Sequence, residues 1–210
     1  MIVGLVGLLV ACVLGSIPSA YYAVKWIKGI DLREVGSGNL GYTNAARVLG
    51  YAWAVPVLLF DICKGIIAVL IARWLVPGQE IYAILSGLAA ILGHTWTIFL
   101  GFQGGGKGVA TSAGVFAALS PIPFAAALIL FLFTLVVTRI MSLGSIVGAF
   151  SLVAAGGVLL GVHSSYAPPW EVFGFSVIAA ALVIIRHRPN MMRILDGSEP
   201  KLGSKKEGVE

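Results

Sequence analysis

The chain alternates long apolar segments with short polar ones. Seven apolar segments each approach the roughly 20 residues that a helix needs to cross about 30 Å of hydrocarbon. Runs of this length predict an all-α polytopic membrane protein with about seven transmembrane helices. The fourth segment is short and weakly apolar, which leaves open a full span, a partial span or a tilted half-helix packed within the protein. The segments cover residues 2–24, 51–76, 81–102, 109–120, 122–138, 142–162 and 170–186.

The composition excludes a soluble globular protein. Mean hydropathy is +0.98 and only 11% of residues are charged, whereas a soluble domain carries about 25%. We expect one membrane domain over residues 1–210, in which 196–210 form a flexible cytoplasmic tail. The first 24 residues carry no charge and no preceding basic region, so they fit a spanning helix better than a cleaved signal peptide. Cys12 and Cys63 lie in apolar stretches, which excludes a disulfide framework.

The distribution of basic residues predicts the orientation. The loops at 25–50, 103–108 and 139–141 and the tail from 186 hold 4, 1, 1 and 6 of the 14 Lys and Arg residues. The other three loops hold none. By the positive-inside rule the N-terminus is outside and the C-terminus is cytoplasmic. The net charge of +5 therefore suits anionic membrane lipid, and nothing in the sequence indicates nucleic acid.

Glycine-rich motifs lie on this same side. Residues 101–111 read GFQGGGKGVAT, in which Gly106 and Lys107 complete the first part of a nucleotide-binding phosphate loop. Gly108 then stands where a Ser or Thr should bind magnesium, and the preceding segment looks helical rather than like a strand. A nucleotide site is therefore not expected. A weakly similar pattern, SGNLGYTNAARVLG, begins at Ser37. In both motifs a Thr or Asn follows the glycines and is able to cap the next helix.

The physical meaning of the paired motifs is an anion site. Successive amides of a glycine-rich turn, together with a helix N-terminus, attract negative charge. Two such loops facing each other would bind a phosphate, and Arg47 and Lys107 would add full charges. The alternative is that the glycines only permit close helix packing; the pairing of two loops favours the phosphate site. The candidate ligands are Ser37, Gly38, Asn39, Asn44 and Arg47 in the first loop and Gly104, Gly105, Gly106, Lys107, Gly108 and Thr111 in the second.

Three motif blocks carry a family resemblance. SGNLGYTN with Arg47, GHTWTIFLGFQGGGKGVAT, and HRPNMMRILDGSEPK together resemble the bacterial acyl-phosphate:glycerol-3-phosphate acyltransferase family, PlsY. The resemblance covers nearly the whole chain; Tyr42 and Thr97 depart from it, where Ala and Pro are common. It implies transfer of a fatty acyl group from acyl phosphate to the 1-hydroxyl of glycerol 3-phosphate, giving lysophosphatidic acid and phosphate. It also implies a multi-pass protein of the bacterial inner or plasma membrane with a cytoplasmic active site.

The tail motif and the start of the sixth segment add further candidates. His187 follows the last segment directly, and beside Asn190 we interpret it as a substrate contact or proton shuttle rather than a solvated interfacial residue. Asn190 either donates to a phosphate oxygen or holds a loop. The resemblance makes Ser142 and Ser145 acceptor ligands without separating them, helix capping being the simpler explanation for both. The expected catalytic residues are His187, Ser37, Lys107 and Arg47. Arg193 and Lys201 are more typical of a lipid-headgroup collar.

Missing motifs narrow the chemistry. None of the three histidines has an Asp five residues later, so the dyad of thioester-dependent acyltransferases is absent. Asp31, Asp61 and Asp196 are scattered, which argues against a metal centre. We therefore expect no metal, no cofactor and no covalent acyl-enzyme. Catalysis should then come from positioning of the substrates and charge neutralisation. We also expect a monomer. The alternative function, a membrane carrier of a phosphorylated metabolite, is disfavoured by short outer loops without basic residues.

Three polar residues fall deep inside apolar segments. Asp61 and Lys64 lie three positions apart on one helix face, where they form a mutually neutralising pair. On a helix that continued to Phe102, His94 would lie about 12 Å below the surface. There it would form either the base of the site or a buried structural hydrogen bond.

Overall fold

The computed structural model describes residues 2–203, and in that range helices are the regular secondary structure. The all-α expectation is confirmed. A 3-10 segment, Ile98–Leu100, follows α5. The α-helices of this range are α1 (Ile2–Ser16), α2 (Ser19–Lys28), α3 (Tyr42–Leu49), α4 (Tyr51–Leu75), α5 (Glu80–Thr95), α6 (Val109–Leu119), α7 (Pro121–Thr138), α8 (Met141–Gly161), α9 (Trp170–Arg186) and α10 (Arg188–Leu195).

Each of the seven apolar segments corresponds to a helical region, but the regions differ in length. Five are long and apolar enough to cross a membrane: Ile2–Lys28, α4, Glu80–Leu100, α7 and α8. A sixth results if α9 and α10, which meet at an angle of 57°, count as one span. By length and composition, residues 2–203 thus hold five or six candidate membrane spans, while a total of seven stays a prediction.

Two helices end earlier than the apolar pattern predicts. The first segment is interrupted at Ile17 and Pro18, where the proline ring removes an amide donor, so it consists of α1 and α2 instead of one helix. α5 ends at Thr95 and does not continue to Phe102. The depth of about 12 Å estimated for His94 from a continuous helix is therefore wrong, because His94 lies in the last turn of α5.

The fourth segment is a half-helix packed within the protein. α6 has 11 residues, and at about 1.5 Å per residue it extends roughly half the thickness of a hydrocarbon core. Glycines allow it to touch α4 directly. A Cβ on Gly65 would lie 2.2 Å from the Thr111 carbonyl oxygen, and one on Gly114 would lie 1.9 Å from that of Ile62. No larger residue fits at either position, so the two backbones are in contact.

The packing separates a tight interior from an apolar outer face. Val115 and Phe116 of α6 are buried, and the Phe116 ring stacks on Phe175 of α9 with 5.1 Å between centroids. On α7, Phe133 and Val136 are 65% and 77% exposed, as expected for side chains that face lipid tails. The polar segments that the sequence assigns to the cytoplasmic side are brought together at one end of this bundle.

Candidate active site

The two glycine-rich loops lie against each other. The Leu40 amide donates to the Gly105 carbonyl oxygen over 3.3 Å, and Asn39 Nδ2 donates to the same oxygen over 3.2 Å. Gly105 itself is buried, and a Cβ there would lie 2.1 Å from the Thr95 carbonyl oxygen. Glycine at 105 thus lets the second loop pack on the end of α5, and the hydrogen bonds from Asn39 and Leu40 show that the facing arrangement predicted from the paired motifs is present.

Asn44 holds the first loop in shape. Its side chain is 1% exposed, and Oδ1 accepts from the Ser37 amide at 3.0 Å. Nδ2 donates to the carbonyl oxygens of Leu32 and Val35 at 3.3 and 3.0 Å. Gly41 is the N-cap residue of α3 and no side chain caps that helix, so the expectation that a Thr or Asn of this motif caps it is wrong. The amide of Asn44 is engaged within the loop that carries the exposed Ser37.

The second loop leads into α6 through backbone conformations that favour glycine. Gly104 and Gly108 have φ angles of +85° and +80°. The Gly106 amide donates to the His94 carbonyl oxygen at 3.0 Å, whereas the amides of Lys107 and Gly108 have no acceptor within residues 2–203. These two unpaired amides lie next to the N-terminus of an 11-residue helix, a position where donors and the helix dipole favour an anion.

Thr111 does not cap α6, contrary to expectation. Gly108 is the N-cap residue, and the Thr111 hydroxyl is completely buried without a hydrogen-bond partner in the part of the chain described. Thr111 therefore lies in the protein interior, in the first turn of α6, with its carbonyl oxygen against Gly65 of α4.

A chain of hydrogen bonds links the second loop to the C-terminal motif. Lys107 Nζ donates to Asn190 Oδ1, and Asn190 Nδ2 donates to Glu199 Oε1 at 2.6 Å. Ser142 Oγ of α8 donates to the same carboxylate oxygen at 2.6 Å, and Arg193 Nε donates to Oε2 at 2.7 Å. These contacts join the glycine loop, α8, α10 and the segment after α10.

Glu199 is a site residue that the sequence reasoning missed. It falls in the expected tail 196–210, of which residues 204–210 lie outside the described part, yet the residue is only 8% exposed. Glu199 is one of two carboxylates, with Asp196, in the otherwise basic block HRPNMMRILDGSEPK, and this was the available signal. Arg193, interpreted as part of a lipid-headgroup collar, instead pairs with this carboxylate.

The structure separates the two serines of α8. Ser142 contacts Glu199, as above, whereas Ser145 Oγ donates to the Met141 carbonyl oxygen of its own helix at 3.0 Å. Both are buried, and neither caps the helix, whose N-cap residue is Ile140. Ser142 is thus the serine that belongs to the polar chain.

His187 lies between α9 and α10 in a defined tautomer. Its Nδ1 is 2.7 Å from the Val183 carbonyl oxygen, a contact that requires a proton on Nδ1 and leaves Nε2 as an acceptor. Burial, reinforced by the Lys107 charge, lowers the pKa of His187 to about 4, so the ring is neutral at pH 7. The neighbouring Arg186, not predicted as a site residue, donates to the Gly106 carbonyl oxygen at 3.4 Å and lies over the Trp96 ring.

The site carries several cations close together. Burial lowers the pKa of Lys107 to about 8, and the charges of Arg193, Arg186 and Arg47 act in the same direction while Glu199 opposes them. Arg47 is exposed on α3 at the edge of this group. Within residues 2–203 no three His, Cys, Asp or Glu side chains are grouped as metal ligands would be. The arrangement therefore favours binding of an anion such as phosphate.

A family model described as glycerol-3-phosphate acyltransferase matches residues 5–197. The chain belongs to this family. A glycerol-3-phosphate acyltransferase of Thermoanaerobacter sp. (strain X514) is 42% identical over 199 residues, covering 95% of this chain and 96% of the relative. Another, of Halalkalibacterium halodurans, is 45% identical over 196 residues, covering 92% and 93%.

Solved structures agree in fold. The crystal structure of PlsY, an integral membrane glycerol 3-phosphate acyltransferase, in its glycerol 3-phosphate form has a TM-score of 0.83 and 37% identity, covering 95% of this chain and 96% of that one. Its lysophosphatidic acid form has a TM-score of 0.81 and 36% identity. The family predicted from the three motif blocks is confirmed, and the chain is an integral membrane acyltransferase of lipid biosynthesis.

Proposed function

We propose that this chain transfers a fatty acyl group from acyl phosphate to the 1-hydroxyl of sn-glycerol 3-phosphate, giving lysophosphatidic acid and inorganic phosphate. The observation that carries the proposal is the junction of the two glycine loops at Gly105, beside Lys107, Arg47 and Arg186. Both substrates bear phosphate, and this junction offers free amides and cations to each of them.

The second loop is the proposed site of one phosphate. Gly104, Gly105 and Gly108 allow the backbone to approach it closely, the Lys107 and Gly108 amides donate to it, and the Lys107 ammonium neutralises it. Gly106 and Thr111 support the loop from below, since the Gly106 amide is engaged by His94. Ser37, Gly38, Asn39 and Arg47 of the first loop face the other phosphate, with Asn44 fixing their loop. Support comes from the contact between the loops, which brings the two sets together.

In the proposed reaction the 1-hydroxyl oxygen attacks the acyl carbonyl carbon, and the bond from that carbon to the phosphate oxygen breaks. The leaving phosphate keeps the bonding electrons and takes up the proton released from the hydroxyl, which gives inorganic phosphate; fixed cations beside the leaving phosphate lower the barrier. The neutral His187 presents Nε2 as a lone-pair acceptor for the attacking hydroxyl; a pKa of about 4 suits orientation of that hydroxyl better than storage of its proton. Ser142 and Asn190 align this region through Glu199.

We further propose a cytoplasmic site in the bacterial inner or plasma membrane, reached sideways by the acyl chain, in a monomer that needs no metal or cofactor. Twelve of the 14 basic residues fall in the loops and tail assigned to that side, which supports the orientation.

The test is an assay of the purified protein in detergent micelles with acyl phosphate and labelled glycerol 3-phosphate. Lysophosphatidic acid and phosphate should form in equal amounts, with and without a metal chelator, and acyl thioesters should not replace acyl phosphate. Failure to form the lipid from acyl phosphate would overturn the proposal. Uptake of glycerol 3-phosphate into proteoliposomes without acyl transfer would instead favour the carrier.

A further inference from the structure

A buried polar network lies directly below the glycine loop. Asp61 and Lys64 of α4 are each 1% exposed, and Lys64 Nζ is 2.8 Å from Asp61 Oδ1. The same nitrogen is 3.2 Å from the Ile17 carbonyl oxygen and 2.8 Å from His94 Nδ1. The pair expected from the sequence is thus part of a larger network that includes α5 and the break between α1 and α2.

The contacts of Lys64 define the protonation of His94. An ammonium group has three N–H donors, and three acceptors surround this one. His94 Nδ1 must then accept and carries no proton, because the 3.6 Å between Nδ1 and Asp61 Oδ1 is too long for a hydrogen bond. The neutral ring therefore carries its proton on Nε2.

His94 Nε2 lies against the glycine loop. A Cβ built on Gly106 would be 1.8 Å from this nitrogen, so ring and loop backbone are in direct contact. The backbone of His94 holds the same residue, since the Gly106 amide donates to its carbonyl oxygen. The position of Gly106 is thus set from two sides by one residue.

The network also reaches the helix that leads into the first loop. Ser19 Oγ, at the start of α2, donates to Asp61 Oδ1 at 2.9 Å. The carbonyl oxygens freed by the break between α1 and α2 are bonded as well: Thr97 donates to that of Ser16 and Lys64 to that of Ile17. A displaced Lys64 would consequently affect both α2 and the glycine loop.

We propose that Lys64 is a positioning residue of the acyltransferase site: by donating to His94 Nδ1 it holds the imidazole in its Nε2–H form against Gly106, and so fixes the glycine loop relative to α2. The simpler explanation is that Lys64 only neutralises Asp61 and bonds a free helix carbonyl. The two explanations predict different activities for a variant that lacks both the Asp61 and the Lys64 charge. The predicted kinetic effects rest on the proposed function, whereas the predicted tautomer of His94 does not.

The tautomer is measured by ¹⁵N NMR of the full chain in micelles, labelled at histidine, with the His94 signals identified by their loss in His94→Gln. At neutral pH Nδ1 should be unprotonated and Nε2 protonated. Lys64→Met should change this pattern, because the donor to Nδ1 is gone. A protonated Nδ1 in the unsubstituted protein, whether as the other tautomer or as imidazolium, would overturn the proposal whatever the protein catalyses.

The kinetic test compares Lys64→Met with the double variant Asp61→Asn/Lys64→Met, using Cys63→Ala on the same helix as the control. Lys64→Met leaves a buried carboxylate unpaired and should lower Tm; the double variant removes both charges and should recover most of it. We expect kcat/KM of the double variant to stay about 10- to 100-fold low, because the loop is displaced. Recovery of kcat/KM together with Tm would show simple neutralisation. An inactive but folded unsubstituted protein would refute the proposed function instead, and the NMR result would still decide the role of Lys64.

Discussion

Lys107 of the glycine loop donates a hydrogen bond to Asn190 of α10, 83 positions further along the chain. This contact holds the cation of one motif block against the block that supplies His187. It also explains how a carboxylate near the C-terminus, Glu199, influences a loop in the middle of the sequence, since Asn190 bonds both.

The pKa of Lys107 predicts an alkaline loss of activity. Burial lowers it to about 8, so the ammonium is present below that pH and is lost in the folded protein as the pH rises through it. We expect kcat/KM, which reports the free enzyme, to fall above about pH 8. The guanidinium of Lys107→Arg stays charged beyond about pH 12. This variant should therefore lose kcat/KM only at higher pH, even if its maximal kcat/KM is lower. An identical alkaline limb in both proteins would assign the titration to another group.

Glu199 should be needed for both stability and activity. The Glu199 carboxylate accepts hydrogen bonds from three side-chain donors. In Glu199→Gln one of its two acceptor oxygens is replaced by an NH2 group, which donates. Weakening one charge-assisted bond by about 1.5 to 3 kcal/mol should lower Tm by about 3 to 12 °C. Activity should fall too, because Asn190 loses its anchor. Asp196→Asn is the matched control, since this exposed carboxylate bonds only Ser198 among the described residues. Equal losses of Tm and of activity in the two variants would contradict the role of Glu199 in holding the site together.

Gly106→Ala should disable the second loop. The added Cβ would lie 1.8 Å from His94 Nε2, so the loop or the ring must move. We expect kcat/KM to fall by about 100-fold for both substrates, because the loop amides lose their positions. Gly174→Ala in α9 is the control, where a Cβ meets nothing within 4 Å. Retention of wild-type kinetics by Gly106→Ala would mean that the loop does not bind substrate.

The fold class and the grouping of the loops could be predicted from the sequence, because apolar length and basic residues report directly on the membrane. The paired glycine motifs likewise predict facing loops, and the contact at Gly105 agrees. The ends of helices were harder. The apolar run continues through the stop of α5 at Thr95 and the break at Pro18, so hydropathy alone does not show either one. The carbonyl groups freed at the break, those of Ser16 and Ile17, are bonded by Thr97 and by Lys64 of α4.

Contacts between residues distant in sequence were the other feature that could not be predicted. Asn44 and Thr111 looked like helix caps by position alone, but tertiary contacts decide their surroundings: Asn44 bonds the first loop, and Thr111 is buried against α4. Glu199 looked like part of a tail because its donors come from α8 and α10. Spacing along the chain carries no record of such contacts.

The orientation is testable by thiol labelling in intact cells. With Cys12 and Cys63 replaced by Ala, a cysteine at the exposed Gln79 should react with a membrane-impermeant reagent from outside. A cysteine at Leu195, 82% exposed in α10, should react only after permeabilisation. Labelling of both positions from the same side would contradict the predicted topology.

The most direct test of the phosphate site is the steady-state kinetics of Arg47→Ala, Lys107→Ala and the double variant, with Lys28→Ala, an exposed cation before the first loop, as the control. Loss of one charge-assisted phosphate contact of about 1.5 to 3 kcal/mol predicts a roughly 10- to 150-fold lower kcat/KM for each single variant. Arg47→Ala should act mainly through KM for glycerol 3-phosphate, and Lys28→Ala should match the unsubstituted protein. If Arg47→Ala and Lys107→Ala both fold correctly and keep the kinetic constants of the unsubstituted protein, the two loops do not bind phosphate and their glycines serve helix packing alone.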